Sequence, residues 1–375
     1  MTAAQALGFI QPMRFLSALA LLLTAPLLPA QDFDFKGVPA DYAVTFATAS
    51  SRGLKISDSP QAKAFKNRLE QLIAGIDPSA KDGQRKLYDS VKSATGMDLE
   101  SPDTAFAGGF SVGPGDHFTG ALIIRARHDG RRLSAHATAK NVKTLSAGGV
   151  QGWNAQQFMA SLSDELAQAA QNFPLPPQDL GAEVEPVGLF DLDNDTLLVA
   201  QPKEAARIIG LLKGQGASYA LPAAQRTAVA STGHAYAVVS VNAAKLPASA
   251  ELTNSGFVSG LFAMGEKGSD QVMKISTTFT SKEKAAPLAM QAQGMLAMAP
   301  MMLAGDPSKP ETAEEKEMKA LAGEFLAGIQ PVEASGNQVN FTAKWETLKL
   351  YAMIEKIVAI GAAKAKEMPA PTVGK

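Results

Sequence analysis

The chain has 375 residues, 46% of them hydrophobic, and a formal net charge of −1. Length and apolar content suit a substantial core and about two domains, and a near-neutral charge balance disfavours a protein that grips nucleic acid through phosphate contacts. There is no cysteine, which excludes a disulfide framework, a thiol nucleophile, Cys-ligated zinc and a Cys-borne lipid anchor.

At the N-terminus Arg14 precedes an apolar run from Phe15 to Leu28, and Leu28-Pro29-Ala30 ends in a small residue before Gln31. This is the layout of a secretory signal peptide over residues 1–30, with Met13 as an alternative start. The run is short for a bilayer span, and Pro26 would break a spanning helix. The expectation is an exported protein, periplasmic or extracellular, with no integral membrane span once the signal is removed. An exported chain without disulfides fits a bacterial envelope.

Tyr42 to Phe46 reads as a strand. Ser59 as N-cap and Pro60 at the first helical position start a helix whose apolar face is Phe65, Leu69, Leu72 and Ile73, and Gly75 stops it. A more polar helix follows near Gln84 to Ala94. Phe118–Arg127 and Arg132–Lys140 flank Asp129-Gly130, which predicts a tight hairpin. Ala155 to Asn172 reads as helix and the proline-rich Phe173–Gln178 as loop. Pro186 to Leu212 reads as strand, acidic turn, strand and helix. Ala235–Val241 is a predicted strand, Phe257–Met264 a helix and Val272–Thr280 a strand. Thr280 and Glu283 predict a capping box for a long Ala/Met-rich helix, and Thr312 with Glu315 another. Pro331–Trp345 is a predicted hairpin turning at Ser335-Gly336-Asn337, before a last helix carrying Leu350, Ile354, Ile357 and Val358.

Three pieces recur in the same order. Tyr42–Phe46 matches Tyr236–Ser240, Leu133–Lys140 matches Ile275–Lys282, and the Pro186-Val187 hairpin and helix match those after Pro331-Val332. The expected fold is therefore α+β, with two related lobes, each a mostly antiparallel sheet with helices packed on it. The lobes are 31–213 and 234–364, joined by a linker at 214–233 and followed by a disordered tail at 365–375. With Gly96-Met97-Asp98 and the hairpin strand Asp195–Val199, this order resembles a group of uncharacterised exported bacterial proteins with paired α+β lobes. The resemblance implies the fold and export and brings no established activity.

Several clusters invite a functional reading. Asp191, Asp193 and Asp195 alternate as calcium ligands do, but the glycine and glutamate of an EF-hand loop are replaced by Thr196 and Pro202, so a polar hairpin turn is favoured. Gly109-Phe110-Ser111-Val112-Gly113 matches a nucleophile elbow, with His234 later in the chain, yet a second strand rather than a helix follows Ser111. His117, His128, His136 and His234 form no close metal-binding pair. Met295, Met298 and Met302 share one helical face, a soft-ligand set for Cu(I); a core-filling helix is the favoured reading, with a partner-binding or membrane-surface face as the alternative. Arg125, Arg127, Arg131 and Arg132 surround the expected hairpin tip and offer an anionic-ligand patch, against the simpler role of a solvated edge.

The sequence thus predicts an exported, non-enzymatic binding or structural protein of the cell envelope. It needs no cofactor, and its partner is an unidentified envelope component. The alternatives are a serine hydrolase using Ser111 and a calcium- or copper-binding protein.

Overall fold

A computed structural model describes residues 33–49, 59–76, 88–98, 101, 103–113, 118–162, 185–304 and 312–367. The predicted signal peptide, His117 and the proline-rich loop lie outside these residues. Among the described residues no helix is long and apolar enough to cross a membrane.

The strands are β1 (Val44–Thr48), β2 (Ala105–Val112), β3 (Phe118–Arg125), β4 (Thr144–Ala147), β5 (Val150–Asn154), β6 (Gly188–Asp193), β7 (Thr196–Ala200), β8 (His234–Asn242), β9 (Phe257–Lys267), β10 (Asp270–Phe279), β11 (Glu333–Ser335) and β12 (Gln338–Glu346). The helices are α1 (Pro60–Ile76), α2 (88–95), α3 (Gly130–Ala139), α4 (Ala155–Ala160), α5 (Pro202–Leu212), α6 (Ala223–Ser231), α7 (Ala250–Ser255), α8 (Lys282–Ala304), α9 (Ala313–Ala327) and α10 (Thr347–Glu367). The fold is α+β, as expected.

The strands form one continuous 12-stranded sheet in the order β11-β12-β10-β9-β8-β1-β2-β3-β7-β6-β5-β4. All its neighbours pair antiparallel. Outward from the central β1–β8 pair, one side runs β1, β2, β3, β7, β6 and the other β8, β9, β10, β12, β11. Each side ends in a hairpin that feeds a helix, α5 after β7 and α10 after β12. The β4–β5 hairpin extends the first side alone.

Two of the three recurring sequence pieces occupy equivalent places in this order: β1 with β8, and β6-β7-α5 with β11-β12-α10. The middle piece does not. Ile275–Phe279 lies in β10, whereas Leu133–Lys140 lies in α3 and its cap. Asp129 is the reason. Its extended backbone (φ −116°, ψ 100°) and its side chain, which accepts from the amides of Arg131 and Arg132, make it a helix N-cap rather than a turn residue. Leu133 and Ala137, one helical turn apart, are then fully buried together.

Two further expectations are corrected. Phe257–Met264 is strand rather than helix: Gly256, at φ 67°, ends α7, and the run that follows is buried on both faces from Ala263 to Glu266 because β9 is interior to the sheet. A short apolar run of this kind carries no decisive period. The start of α8 is also displaced by one residue, since Ser281 rather than Thr280 accepts from the Lys284 amide at 3.4 Å. The Thr312–Glu315 capping box is present on α9, and Ser59 caps α1 through the Ala62 amide at 3.1 Å.

The main core lies under α5 and α6, where Val38, Tyr42, Ile123, Phe190, Leu198, Ile208, Leu221, Val238 and Leu261 meet. A second cluster joins α2, α3 and α4 to the first half of the sheet through Leu133, Trp153, Phe158, Leu189 and Leu197. In the second half, α8 packs Ala285 and Ala289 on Phe279, Val332 and Val339. α1 reaches across to α10, where Phe65 stacks on Tyr351 at 4.2 Å and Arg68 pairs with Glu355 at 2.8 Å.

Close packing around β1 depends on Gly109. A Cβ there would lie 2.3 Å from the Val44 carbonyl oxygen and 2.7 Å from the Tyr42 ring. Gly109→Ala is therefore expected to destabilise the fold by roughly 1–3 kcal/mol through overpacking. In urea titrations this appears as a lower midpoint at unchanged slope.

Candidate functional site

The acidic hairpin is β6–β7, with its turn at residues 194–195. Asp193 Oδ1 accepts from the Asp195 amide at 2.8 Å, an Asx-type brace within the turn. Asp191 turns elsewhere and meets the imidazole of His128 at 2.9 Å. Among the described residues no three His, Asp or Glu side chains converge as a metal site; Asp193 braces the turn and Asp191 pairs with His128.

That pair was not visible in the sequence. The His128 side chain is fully buried and Asp191 is 23% exposed. Nδ1 of His128 lies 2.9 Å from the Ala126 carbonyl oxygen, and Nε2 faces the Asp191 carboxylate. Both ring nitrogens thus face acceptors, which suits an imidazolium donating from each. Burial opposes the charge, but the hydrogen bonds to Asp191 and Ala126 and the charges of Asp191 and Asp193 outweigh it and raise the pKa. Gly130 lets the carboxylate approach, because a Cβ there would lie 2.3 Å from Asp191 Oδ2. The pair holds the segment between β3 and α3 to β6.

The four arginines do not surround a hairpin tip. Arg125 is bound to the segment before β1, pairing with Asp34 at 3.0 Å and donating to the carbonyls of Asp34 and Lys36. Arg132 pairs with its own cap, Asp129, at 3.4 Å. Arg127 and Arg131 are exposed. The cluster is divided between a structural clamp and a helix N-terminus.

Ser111 lies in β2, and the next element among the described residues is β3 rather than a helix. Its hydroxyl donates to the Asp41 carbonyl and accepts from the Ala43 amide, both at 3.2 Å. It is level with Ala43 and, through β1, with Asn242 at the far end of β8. His234 opens that same 9-residue strand, about 27 Å away along it at the usual strand rise. The two are not brought together, and nucleophile–base contact is what the hydrolase chemistry needs. His136 contacts Ser161 at 2.9 Å, within the α3–α4 packing.

The methionine helix is where the structure departs furthest from the favoured reading. Met290, Met295, Met298 and Met301 of α8 are 73, 60, 53 and 76% exposed, rather than filling a core. The side chain of Met302 lies outside the described residues. One narrow stripe of α8 (Ala285, Ala289, Ala292 and Leu296) meets the sheet, and Gln293 donates to the Val332 carbonyl at 3.0 Å. From Ala285 to Ala304 the helix carries no charged residue, and its outer face holds methionines with Gln291 as a polar exception. Leu288 on the same helix is also exposed, as are Met318 and Phe325 on α9, where Phe325 stacks on Trp345. Between α8, α9 and the start of β11 runs an open cleft of about 590 Å³, lined by aliphatic side chains including Leu296, Leu326, Ile329 and Val332. A helix with so little polar surface is normally buried. The sequence shows the missing charge but not which face lacks a neighbour.

The His128–Asp191 pair has a definite pH signature. Because the folded pKa of His128 is raised, its stabilisation is fully present below the unfolded value of about 6.5 and is lost as pH rises through the folded value. Asp191→Asn is expected to be roughly 1–3 kcal/mol less stable than the parent at pH 6, with the gap narrowing at alkaline pH. Denaturant unfolding across pH checks this, and a gap that widens with pH contradicts it.

No family model matches the chain, and no curated protein sequence matches it. Solved structures of the Treponema protein TP0453 are similar over most of both chains, at low identity. Crystal form I aligns with TM-score 0.35 and 9% identity, over 87% of this chain and 98% of that one. Crystal form IV gives 0.39 and 10% over 86% and 97%, and form III gives 0.37 and 10% over 87% and 98%.

Proposed function

We propose that the chain is an exported binding protein of the bacterial cell envelope, acting by contact rather than catalysis, and that the outer face of α8 with the adjoining face of α9 is its contact surface. One observation carries this reading: large apolar side chains stand in solvent along a helix with no charge from Ala285 to Ala304. Contiguous exposed apolar surface of this kind marks interaction sites. Methionine suits it, since an unbranched, polarisable side chain adapts to partners of different shape. Export rests on the Arg14–Ala30 signal layout. The shared strand order of the two halves supports descent from a duplicated unit, with the β4–β5 hairpin as an addition to the first.

A triple variant, Met290→Glu, Met298→Glu and Met301→Glu, tests the surface. These positions are already wet, so the melting temperature is expected to change little. Envelope components captured by the parent in a pull-down are expected to be lost by the variant, because a buried charge without a partner is costly. Capture of the same components by both proteins would sink the assignment. Vesicle flotation with both proteins separates a membrane surface from a protein partner.

A further inference from the structure

A second cleft, of about 580 Å³, opens beside the centre of the sheet. Phe33, Phe35 and Tyr219, with the Phe35 ring in contact with the other two, line it together with Val229 of α6, and its polar side chains include Arg226 and His234. No carboxylate lines it. We propose that this cleft is a binding site for a small anion with an aromatic body, the ring lying against the aromatic wall and the charge meeting Arg226.

The wall is preorganised. The Phe35 and Tyr219 rings meet edge to face at 5.0 Å, and Phe35 is 6% exposed. The Tyr219 hydroxyl donates to Ser240 Oγ at 2.8 Å, and Ser240 donates in turn to Gln225 Oε1 at 2.8 Å. Gln225 donates onward to the Gly260 carbonyl at 3.4 Å. This buried relay fixes the wall and α6 to β8 and β9, so ligand binding has little side-chain ordering to overcome.

The cationic group is specific. One guanidinium nitrogen of Arg226 donates to the Leu221 carbonyl at 2.8 Å, which anchors the side chain over the cleft. Arginine has five N–H donors, and among the described residues Arg226 pairs with no carboxylate. Its other edge is thus available for a carboxylate, sulfonate or phosphate, which guanidinium binds through parallel hydrogen bonds. The volume lies within the range of small-molecule sites, where apolar walls with few polar groups are the rule. The site is separate from the α8–α9 surface and shares no residue with it.

Fluorescence titration with 1-naphthoate and its uncharged counterpart, 1-naphthalenemethanol, tests the site. The parent is expected to prefer the carboxylate. Arg226→Gln should weaken naphthoate binding about tenfold or more and leave the alcohol unaffected, with Arg226→Lys in between. Ala230→Trp, which fills the cleft from an exposed position on α6, should abolish both, while the α8 triple variant binds both as the parent does. Equal affinity of the parent for the two probes overturns the proposal. So does unchanged naphthoate binding by a folded Arg226→Gln protein, or loss of binding in the α8 variant alone.

Discussion

The antiparallel pairing of β1 with β8 is the contact on which the rest of the structure depends. It aligns Val44 with Val241 and Thr48 with Ala237, joining segments far apart in sequence into one sheet. Outward of it each side runs three strands in sequence order and then reverses, β7 before β6 on one side and β12 before β11 on the other, and the largest core lies across it, with Tyr42 and Val38 on one side and Val238 and Leu261 on the other. Interior strands leave no room for error in side-chain volume. Gly108 and Gly109 of β2 accept backbone and aromatic atoms where any Cβ would collide. Such non-local pairing is slow to form, because the loop-closure entropy precedes the contacts that offset it.

Around this frame the molecule carries two apolar concavities of different character. The one beside α8 and α9 is open and largely aliphatic, on a helix whose methionines are exposed and can adapt to a partner. The one beside α6 is walled by aromatic rings locked through Tyr219, Ser240 and Gln225, with a guanidinium among its lining groups. The first suits breadth of recognition and the second suits selectivity, because rigidity and charge reject what adaptable apolar contact tolerates.

Much of the fold was legible from local chemistry. Ser59-Pro60 and Thr312–Glu315 announce helix starts through hydrogen bonds that neighbouring residues complete, and both are present. The strand Tyr42–Phe46, its counterpart in β8 and the β6–β7 and β11–β12 hairpins were readable too, whereas β9 was read as a helix and the β4–β5 hairpin was not seen. Asp129-Gly130 was misread because the same two residues serve a tight turn or a helix cap, and burial of Leu133 and Ala137 decides between them. The sites were far less legible. His128 and Asp191 are brought together only by the β3–β7 and β6–β7 pairings, and the exposure of the methionines depends on what fails to pack against α8. The wall of the second cleft takes Phe35 and Tyr219 from segments separated by most of the first half, so no spacing in the chain reveals it.

The central pair also defines how the molecule would behave if it were divided. A chain stopping after α5 would carry β1 as a bare edge of unpaired N–H and C=O groups. Such an edge is a template for another strand. Because β1 meets β8 antiparallel, and β8 holds the equivalent place in its own half, a second copy of the first half could offer its β1 in the same orientation. The seam inside this chain thus has the geometry of a two-fold dimer interface drawn into a single polypeptide. Within one chain such a pairing is intramolecular and does not depend on protein concentration, as a dimer's would.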